Sequence, residues 1–294
     1  MIETESPQPL VTVYMPTYNR VKLLQRAVES VLNQDYRNIE LIVVDDNSID
    51  GTHDYLAKVA KEDIRFRYFI NRQNSGACVS RNKAIFSANG KFITGLDDDD
   101  YFLPNRISSF LKTWEGLDSK FIALYSNLYL KNQNGNTEIS KKIKTCNYND
   151  LICFNSIGNQ IFTKTDYLLE IGGFDTNLSA WQDLECWYRL LKTFNSQAYL
   201  SQEHTYVVDQ SHPHERITNS KTNSIIDSYN YITSKHKLKS YEKRILSLQL
   251  NSYMENTLSI SSIFLSVIYR PELYNLRRSA SLLLQLIKIK PQNN

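Results

Sequence analysis

Over residues 1–100, short apolar runs alternate with amphipathic ones, and this alternation constrains the fold more than any other feature of the chain. The runs LVTVYMP, NIELIVVDD, IRFRYFI and KFITGLDD are strand-length and rich in β-branched and aromatic residues. Between them lie RVKLLQRAVESVLNQ, SIDGTHDYLAKVAKE and SGACVSRNKAIFSANG. The first of these places Val21, Leu24, Ala27, Val28, Val31 and Leu32 along one helical face. The second is led by turn chemistry, and the third closes on Asn-Gly, a helix stop. The alternation predicts an α/β fold with a mostly parallel central sheet, right-handed crossovers and helices on both faces. Open sheets of this kind bind ligands at the carboxyl ends of their strands. The residues that follow each apolar run are therefore where chemistry is expected.

The fourth run leads into LDDDDYFLP, where Asp97, Asp98, Asp99 and Asp100 stand side by side. Adjacent carboxylates repel one another and favour no regular element. A hard divalent cation such as Mg2+ or Mn2+, shared with a phosphate, would stabilise them. A solvated acidic loop is the plainer reading, and the flanks weigh against it. A buried strand precedes the acids, and Pro104 opens the helical spacing of NRISSFLKTW behind them.

Further on the pattern loosens. KFIALYSNLYLKNQNGNTEISKKI reads as a hairpin turning at Asn-Gly. SAWQDLECWYRLLKTF reads as an amphipathic helix with Leu184, Trp187, Tyr188, Leu191 and Phe194 on one face. Beyond about residue 216 the chain is helical and basic, and TLSISSIFLSVIYR and SASLLLQLIKIK are its most apolar parts.

A length of 294 residues with 41% hydrophobic content supports a sizeable core. The net charge of +3 conceals an asymmetry. Residues 1–215 hold 22 Lys and Arg against 27 Asp and Glu, whereas residues 216–294 hold 12 against 4. This divides the chain into a domain over 1–215 and a basic helical extension over 216–294. So basic a segment usually faces phosphate. It lacks the aromatic and glycine signature of an RNA-binding sheet, so no nucleic-acid partner is expected. Cys78, Cys146, Cys153 and Cys186 show no metal-ligand spacing and suit a reducing compartment. The opening MIETESPQPL has neither a basic nor an apolar region of the kind a signal peptide needs. No run reaches the roughly 18 apolar residues of a membrane span.

Taken in order, MPTYNR, VVDDNSIDGT, NSGACVSRN, LDDDD and GGFDTNLSAWQDLECW resemble family 2 of the glycosyltransferases, inverting enzymes with a Rossmann-like GT-A fold. The resemblance spans roughly residues 8–215, and five motifs in order are far more specific than any one of them. It implies a UDP-sugar donor. Pro16, Thr17 and Tyr18 would lie against the base, and Asp46, helped by Asp45, would accept the uracil imide hydrogen bond. Gly76 would let the backbone approach, and Arg81 would sit near the nucleotide. Asp97 would serve the ribose and metal shell, Asp99 would bind Mn2+ or Mg2+ directly, and Asp98 could share the metal. Where the family carries Glu-Asp this chain has Gln182 and Asp183. The resemblance therefore gives the general base to Asp183 and leaves Glu185, two residues on, pointing elsewhere on the helix. Either His212 or His214 would complete the metal or diphosphate site, and Arg216 would bind diphosphate oxygens.

GNQIFTKTDYLLEIGGFD and WQDLECWYRL look most like the enzymes of O-antigen and capsule assembly. That implies transfer of glucose or galactose to a lipid-linked saccharide on undecaprenyl diphosphate. It also implies a peripheral enzyme on the cytoplasmic face of the inner membrane, with the anionic bilayer surface as a partner. On a helix, Leu276, Leu283, Leu286 and Ile287 fall near one side, while Arg277, Arg278, Lys288 and Lys290 could reach head groups. The alternative is a GT-A module that holds a nucleotide sugar without turnover. A nucleotidyltransferase would carry a glycine-rich basic loop after the first strand, and MPTYNRVKLL is not one. No feature of the chain reads out the oligomeric state.

Overall fold

The computed structural model describes residues 8–212, 222–254 and 258–289. The first half runs β1 (Val11–Thr17), α1 (Val21–Leu32), β2 (Ile39–Asp45), α2 (Thr52–Glu62), β3 (Phe66–Ile70), α3 (Ala77–Phe86), β4 (Phe92–Gly95), β5 (Tyr101–Phe102) and α4 (Arg106–Glu115). It continues through β6 (Phe121–Lys131), β7 (Thr137–Ile139), β8 (Thr145–Asn147), α5 (Tyr148–Cys153), β9 (Phe162–Lys164), α6 (Thr165–Glu170), α7 (Gln182–Thr193) and β10 (Gln197–Asp209). The last described elements are α8 (Thr222–Lys235), α9 (Ser240–Leu246), a 3-10 helix (Ser247–Ser252), α10 (Ile260–Tyr269) and α11 (Leu273–Ile289).

The sheet is mixed and mostly parallel, in the order β3-β2-β1-β4-β9-β6-β10-β5. Strands β3, β2, β1 and β4 are parallel neighbours, as the alternation requires. The short β9 enters antiparallel between β4 and β6, and β10 runs parallel to β6. Both faces of the parallel part are buried, and side chains sort by the period of two. Val11, Val13 and Met15 of β1 and Leu41 and Val43 of β2 pack on one side with Leu24, Ala27, Val28 and Val31 of α1. Tyr14, Ile42 and Val44 face the other side, toward the core that holds Leu184, Trp187 and Leu191 of α7. Leu24 is fully buried, and truncating such a leucine to alanine costs about 2 to 5 kcal/mol.

The charge change near residue 216 does not coincide with a change of core. Ile225 and Ile232 of α8, Leu238, and Ile245 and Leu246 of α9 belong to the same cluster as α7. Gln249 donates to the carbonyls of Leu151 and Ile152 at 2.8 and 3.1 Å. Helices α10 and α11 form a pair with a small core of their own around Leu248, Ile263 and Leu282. The helical face expected on the tail is divided by this packing. Leu283 and Leu286 lean inward on that core while Leu276 stays exposed. Arg278 lies over the Phe154 ring rather than facing outward, with 5.7 Å between guanidinium and ring centre. Lys290 and the side chains of Ile287 and Lys288 lie outside the described residues. Among the described residues, no helix is long and apolar enough to cross a membrane.

Candidate active site

A cleft of about 660 Å³ opens at the carboxyl ends of β1, β2 and β4. Pro16, Thr17, Tyr18, Asp46, Gly76, Arg81 and Asp97–Asp99 all line it. After β2 the chain turns through Asn47 at a φ of 69°, the left-handed region that asparagine tolerates. Consecutive side chains at the end of a strand point to opposite sides, so the two adjacent aspartates diverge. Asp45 is fully buried and stands outside the cleft lining. Its carboxylate accepts the Ser48 N–H at 3.0 Å and the Ser48 hydroxyl, and it meets His53 Nε2 at 2.7 Å. Asp46 reaches the cleft wall. It accepts Asn71 Nδ2 at 2.8 Å, the Ser75 N–H at 2.9 Å and the Gly76 N–H at 2.7 Å. Gly76 has a φ of 90°, which side chains rarely adopt, so it lets this backbone face the carboxylate just before α3 begins.

The four adjacent acids are held by a partly shared set of partners. Asp97 accepts Arg81 at 3.0 Å, Gln160 at 3.2 Å and Asn159 at 3.1 Å. Asp98 accepts the Thr17 hydroxyl at 2.7 Å and Arg20 at 3.2 Å. Burial pushes its carboxyl up to about 7, against the pull of Arg20. Asp99 pairs with Arg20 at 3.0 Å and lies 3.6 Å from His212 Nε2. Asp100, which also lines the cleft, accepts the Tyr206 hydroxyl at 2.8 Å, the Asp209 N–H at 3.0 Å and Asn159 Nδ2 at 3.4 Å. Two arginines thus serve the first three acids, while β10 and Asn159 hold the fourth. Gly95 permits this arrangement, since a Cβ there would stand 2.0 Å from Gln160 Oε1 and 2.4 Å from the Tyr14 ring.

Asp183 lies in the first turn of α7. Its carboxylate accepts Asn155 Nδ2 at 2.8 Å. Burial raises its pKa, and Arg81 opposes that rise less strongly. The side chain is not part of the cleft lining, but two links join it to the cleft. Asn155 and Asn159 lie on one loop, the first on Asp183 and the second on Asp97. Arg81 spans from Asp97 to Gln182 Oε1 at 2.7 Å. The amide at position 182 therefore accepts from an arginine whose charge Asp97 already balances. Glu185 points away from the cleft and is fully buried. Burial alone would raise it, but His236, Arg189 and Lys235 hold it well below the usual carboxylate range.

His214 and Arg216 lie outside the described residues. Among the described residues, no three His, Cys, Asp or Glu side chains converge to hold an ion. The donor set at Asp99 still fits a hard cation. Cis ligands of an octahedral ion with bonds of about 2.1 Å stand roughly 3 Å apart. The 3.6 Å between Asp99 Oδ2 and His212 Nε2 is close to that separation. Arg20, Asn155, Asn159 and Gln160 join the site although the five motifs assign none of them a role. Arg20 was in view as the end of MPTYNR, and CFNSIGNQIF shows amides embedded among apolar residues, a pattern that calls for buried hydrogen-bond partners.

The chain matches the model of glycosyl transferase family 2 over residues 12–168. It is 37% identical over 236 residues to an Escherichia coli protein named as a colanic acid biosynthesis glycosyl transferase, WcaA, covering 78% of this chain and 82% of that one. It is 39% identical over 105 residues to a Campylobacter jejuni enzyme named as a GalNAc(5)-diNAcBac-PP-undecaprenol beta-1,3-glucosyltransferase, covering 35% of this chain and 34% of that one. Among solved structures, residues 1–349 of Staphylococcus aureus TarS with UDP-GlcNAc superpose with a TM-score of 0.67 at 18% identity, over 93% of this chain and 79% of that one. The mannosyltransferase PcManGT of Pyrobaculum calidifontis, with GDP-Man and Mn2+, gives 0.60 at 18% identity, over 97% and 82%. These structural likenesses extend the agreement in fold across nearly the whole chain.

Proposed function

The chain belongs to glycosyl transferase family 2, and from that premise we propose an inverting transfer of a hexose, glucose or galactose, from a UDP-sugar to a hydroxyl of a saccharide carried on undecaprenyl diphosphate. The product would enter a bacterial surface polysaccharide such as O-antigen or capsule. One observation carries this reading. A single cleft gathers Thr17, Tyr18, Asp46, Arg81 and Asp97–Asp99, while Asp183 stands one loop away with its carboxyl raised by burial. The names of the relatives from Escherichia coli and Campylobacter jejuni support the polysaccharide setting and the lipid-linked acceptor.

On this reading Tyr18, 45% exposed at the cleft wall, offers an aromatic face to the uracil, and Asp46 and the backbone it anchors offer polar edges. Asp97, fixed by Arg81, Gln160 and Asn159, faces the ribose. Mn2+ or Mg2+ held by Asp99, with Asp97 and His212 within reach, would neutralise the charge that grows on the departing diphosphate. Arg20, now on Asp98 and Asp99, is placed to turn toward the same diphosphate oxygens. The acceptor hydroxyl is a poor nucleophile at neutral pH, and Asp183 removes its proton as it attacks. Attack from the face opposite the diphosphate inverts the anomeric centre, and no covalent intermediate on the protein is needed. The enzyme would work peripherally at the cytoplasmic face of the inner membrane, where such an acceptor is anchored.

A panel of UDP-sugars with Mn2+ or Mg2+, scored for release of UDP with and without a lipid-linked acceptor, tests the proposal. Turnover of UDP-glucose or UDP-galactose, stimulated by acceptor, is expected. UDP-sugars that bind without turnover under every condition would leave a nucleotide-sugar-binding module instead.

A further inference from the structure

The last two helices present a surface that the catalytic reading leaves unused. On the inner side of the pair, Ile263 packs with Leu248 and Leu282, and the carbonyl of Ser266 accepts Asn275 Nδ2 at 2.7 Å. The hydroxyls of Ser266 and Ser279 meet at 3.2 Å. The opposite face of α10 carries Ile260, Phe264 and Ile268, four residues apart and 57%, 59% and 77% exposed. The opposite face of α11 carries Leu273, Leu276 and Leu284, 62%, 41% and 60% exposed. Of fifteen large hydrophobic residues exposed among the described residues, seven lie between positions 260 and 284, so exposed apolar side chains concentrate on these two helices.

The charges around the patch select its partner. Arg244 donates to the Ser261 hydroxyl, next to the α10 stripe, and Lys243 beside it is exposed. Arg277 is exposed on α11 directly after Leu276. The two acids described between 240 and 289 are each engaged locally. Glu242 accepts the Lys239 N–H at 2.7 Å, and Glu272 pairs with Arg270 at 2.9 Å. A basic rim repels a second copy of the same surface and attracts an anionic one. We propose that the outward faces of α10 and α11 dock the enzyme on an anionic lipid bilayer. Ile260, Phe264, Ile268, Leu273, Leu276 and Leu284 enter the boundary between head groups and acyl chains, and Lys243, Arg244 and Arg277 meet lipid phosphates. The proposal takes the identity of its surface from the lipid-linked acceptor argued above, while its residues come from the packing of the two helices.

Flotation of the full chain with vesicles of phosphatidylcholine alone, or with phosphatidylglycerol added, tests it. The protein floats with the anionic vesicles, floats less as salt rises, and leaves the neutral ones largely bare. Phe264→Glu/Ile268→Glu lowers partitioning at least about tenfold, and Phe264→Ser/Ile268→Ser, which adds no charge, also lowers it. Both double variants keep UDP affinity, which shows that the fold and cleft are intact. Wild-type protein that ignores anionic vesicles overturns the proposal, as do double variants that partition like wild type. Light scattering that shows a wild-type dimer broken by either double variant overturns it in favour of a second copy. Vesicle binding that persists in a protein with no affinity for any UDP-sugar upholds the docking surface and removes the catalytic reading instead.

Discussion

Helix α7 carries Asp183 and Glu185 two residues apart, and they belong to regions built in opposite ways. Glu185 is one fully buried carboxylate that meets Arg189 at 2.9 Å, Lys235 at 2.7 Å and His236 at 3.0 Å. Arg189 and Lys235 match Glu185 and Asp175 there, Lys235 comes from α8, and the node joins that helix to the core. In the cleft the acids outnumber the cations, with Asp97, Asp98 and Asp99 sharing Arg20 and Arg81. Burying a carboxylate is costly unless it is paired. The Glu185 node meets that cost within the protein. The cleft leaves surplus negative charge facing a space large enough for a nucleotide, which is what a site for a cation and a diphosphate requires.

The comparison breaks most visibly in turnover. Asp183→Asn is nearly isosteric but cannot take a proton, so turnover should fall roughly a hundred- to ten-thousandfold while UDP affinity persists. Glu185→Gln should keep wild-type turnover per folded molecule. If their effects are exchanged, the base has been placed on the wrong carboxylate. Asp99→Ala comes next, with a loss of about a hundredfold or more, because a metal supplies several kcal/mol to the transition state. Chelation by EDTA should match it in the wild type, and added Mn2+ or Mg2+ should reverse only the chelation. A smaller effect is expected in stability. Glu185→Gln leaves buried cations uncompensated and should lower the unfolding free energy by about 3 kcal/mol in a denaturant titration, whereas Asp183→Asn should change it less.

The smallest effects lie in pH dependence, where the two carboxylates have opposite signs. Glu185 is held well below the usual range in the folded protein. Its stabilisation is fully present above the ordinary glutamate value of about 4.3 and is lost as pH falls from there through the depressed value. Acid unfolding of the wild type should therefore steepen in that window, and Glu185→Gln should flatten it. Asp183 is raised by burial and must be ionised to act as a base. The acid limb of kcat/KM should accordingly lie above the ordinary aspartate range, and a limb at or below that range would remove burial from the account.

The parallel half of the sheet was legible because strands buried on both faces read as unbroken apolar runs, as in LIVV of β2. Strand β10 escaped notice although it is the longest strand described, because its pairing with β6 shifts register between Ser201 and Tyr206, where the polar Gln202, Glu203 and His204 interrupt the pattern. Strands β5 and β9, two and three residues long, carry too little pattern to read. In the cleft, spacing located the acids but not their counter-ions. Arg20 meets Asp98 and Asp99 across about 80 residues of chain, and Arg81 meets Gln182 across 101, separations that only the fold brings together. The role of Glu185 was hidden for the same reason, since Lys235 and His236 reach it from a helix 50 residues downstream.

On the proposed function, a divalent cation and a uridine diphosphate together complete the acidic cleft. Titrating UDP into the wild type and into Asp99→Ala, each with Mn2+ and with EDTA, tests it most directly. Mn2+ should tighten UDP binding to the wild type at least about tenfold, and Asp99→Ala should lose this gain. Equal UDP affinity with Mn2+ and EDTA in the wild type, or an undiminished gain in Asp99→Ala, would contradict it.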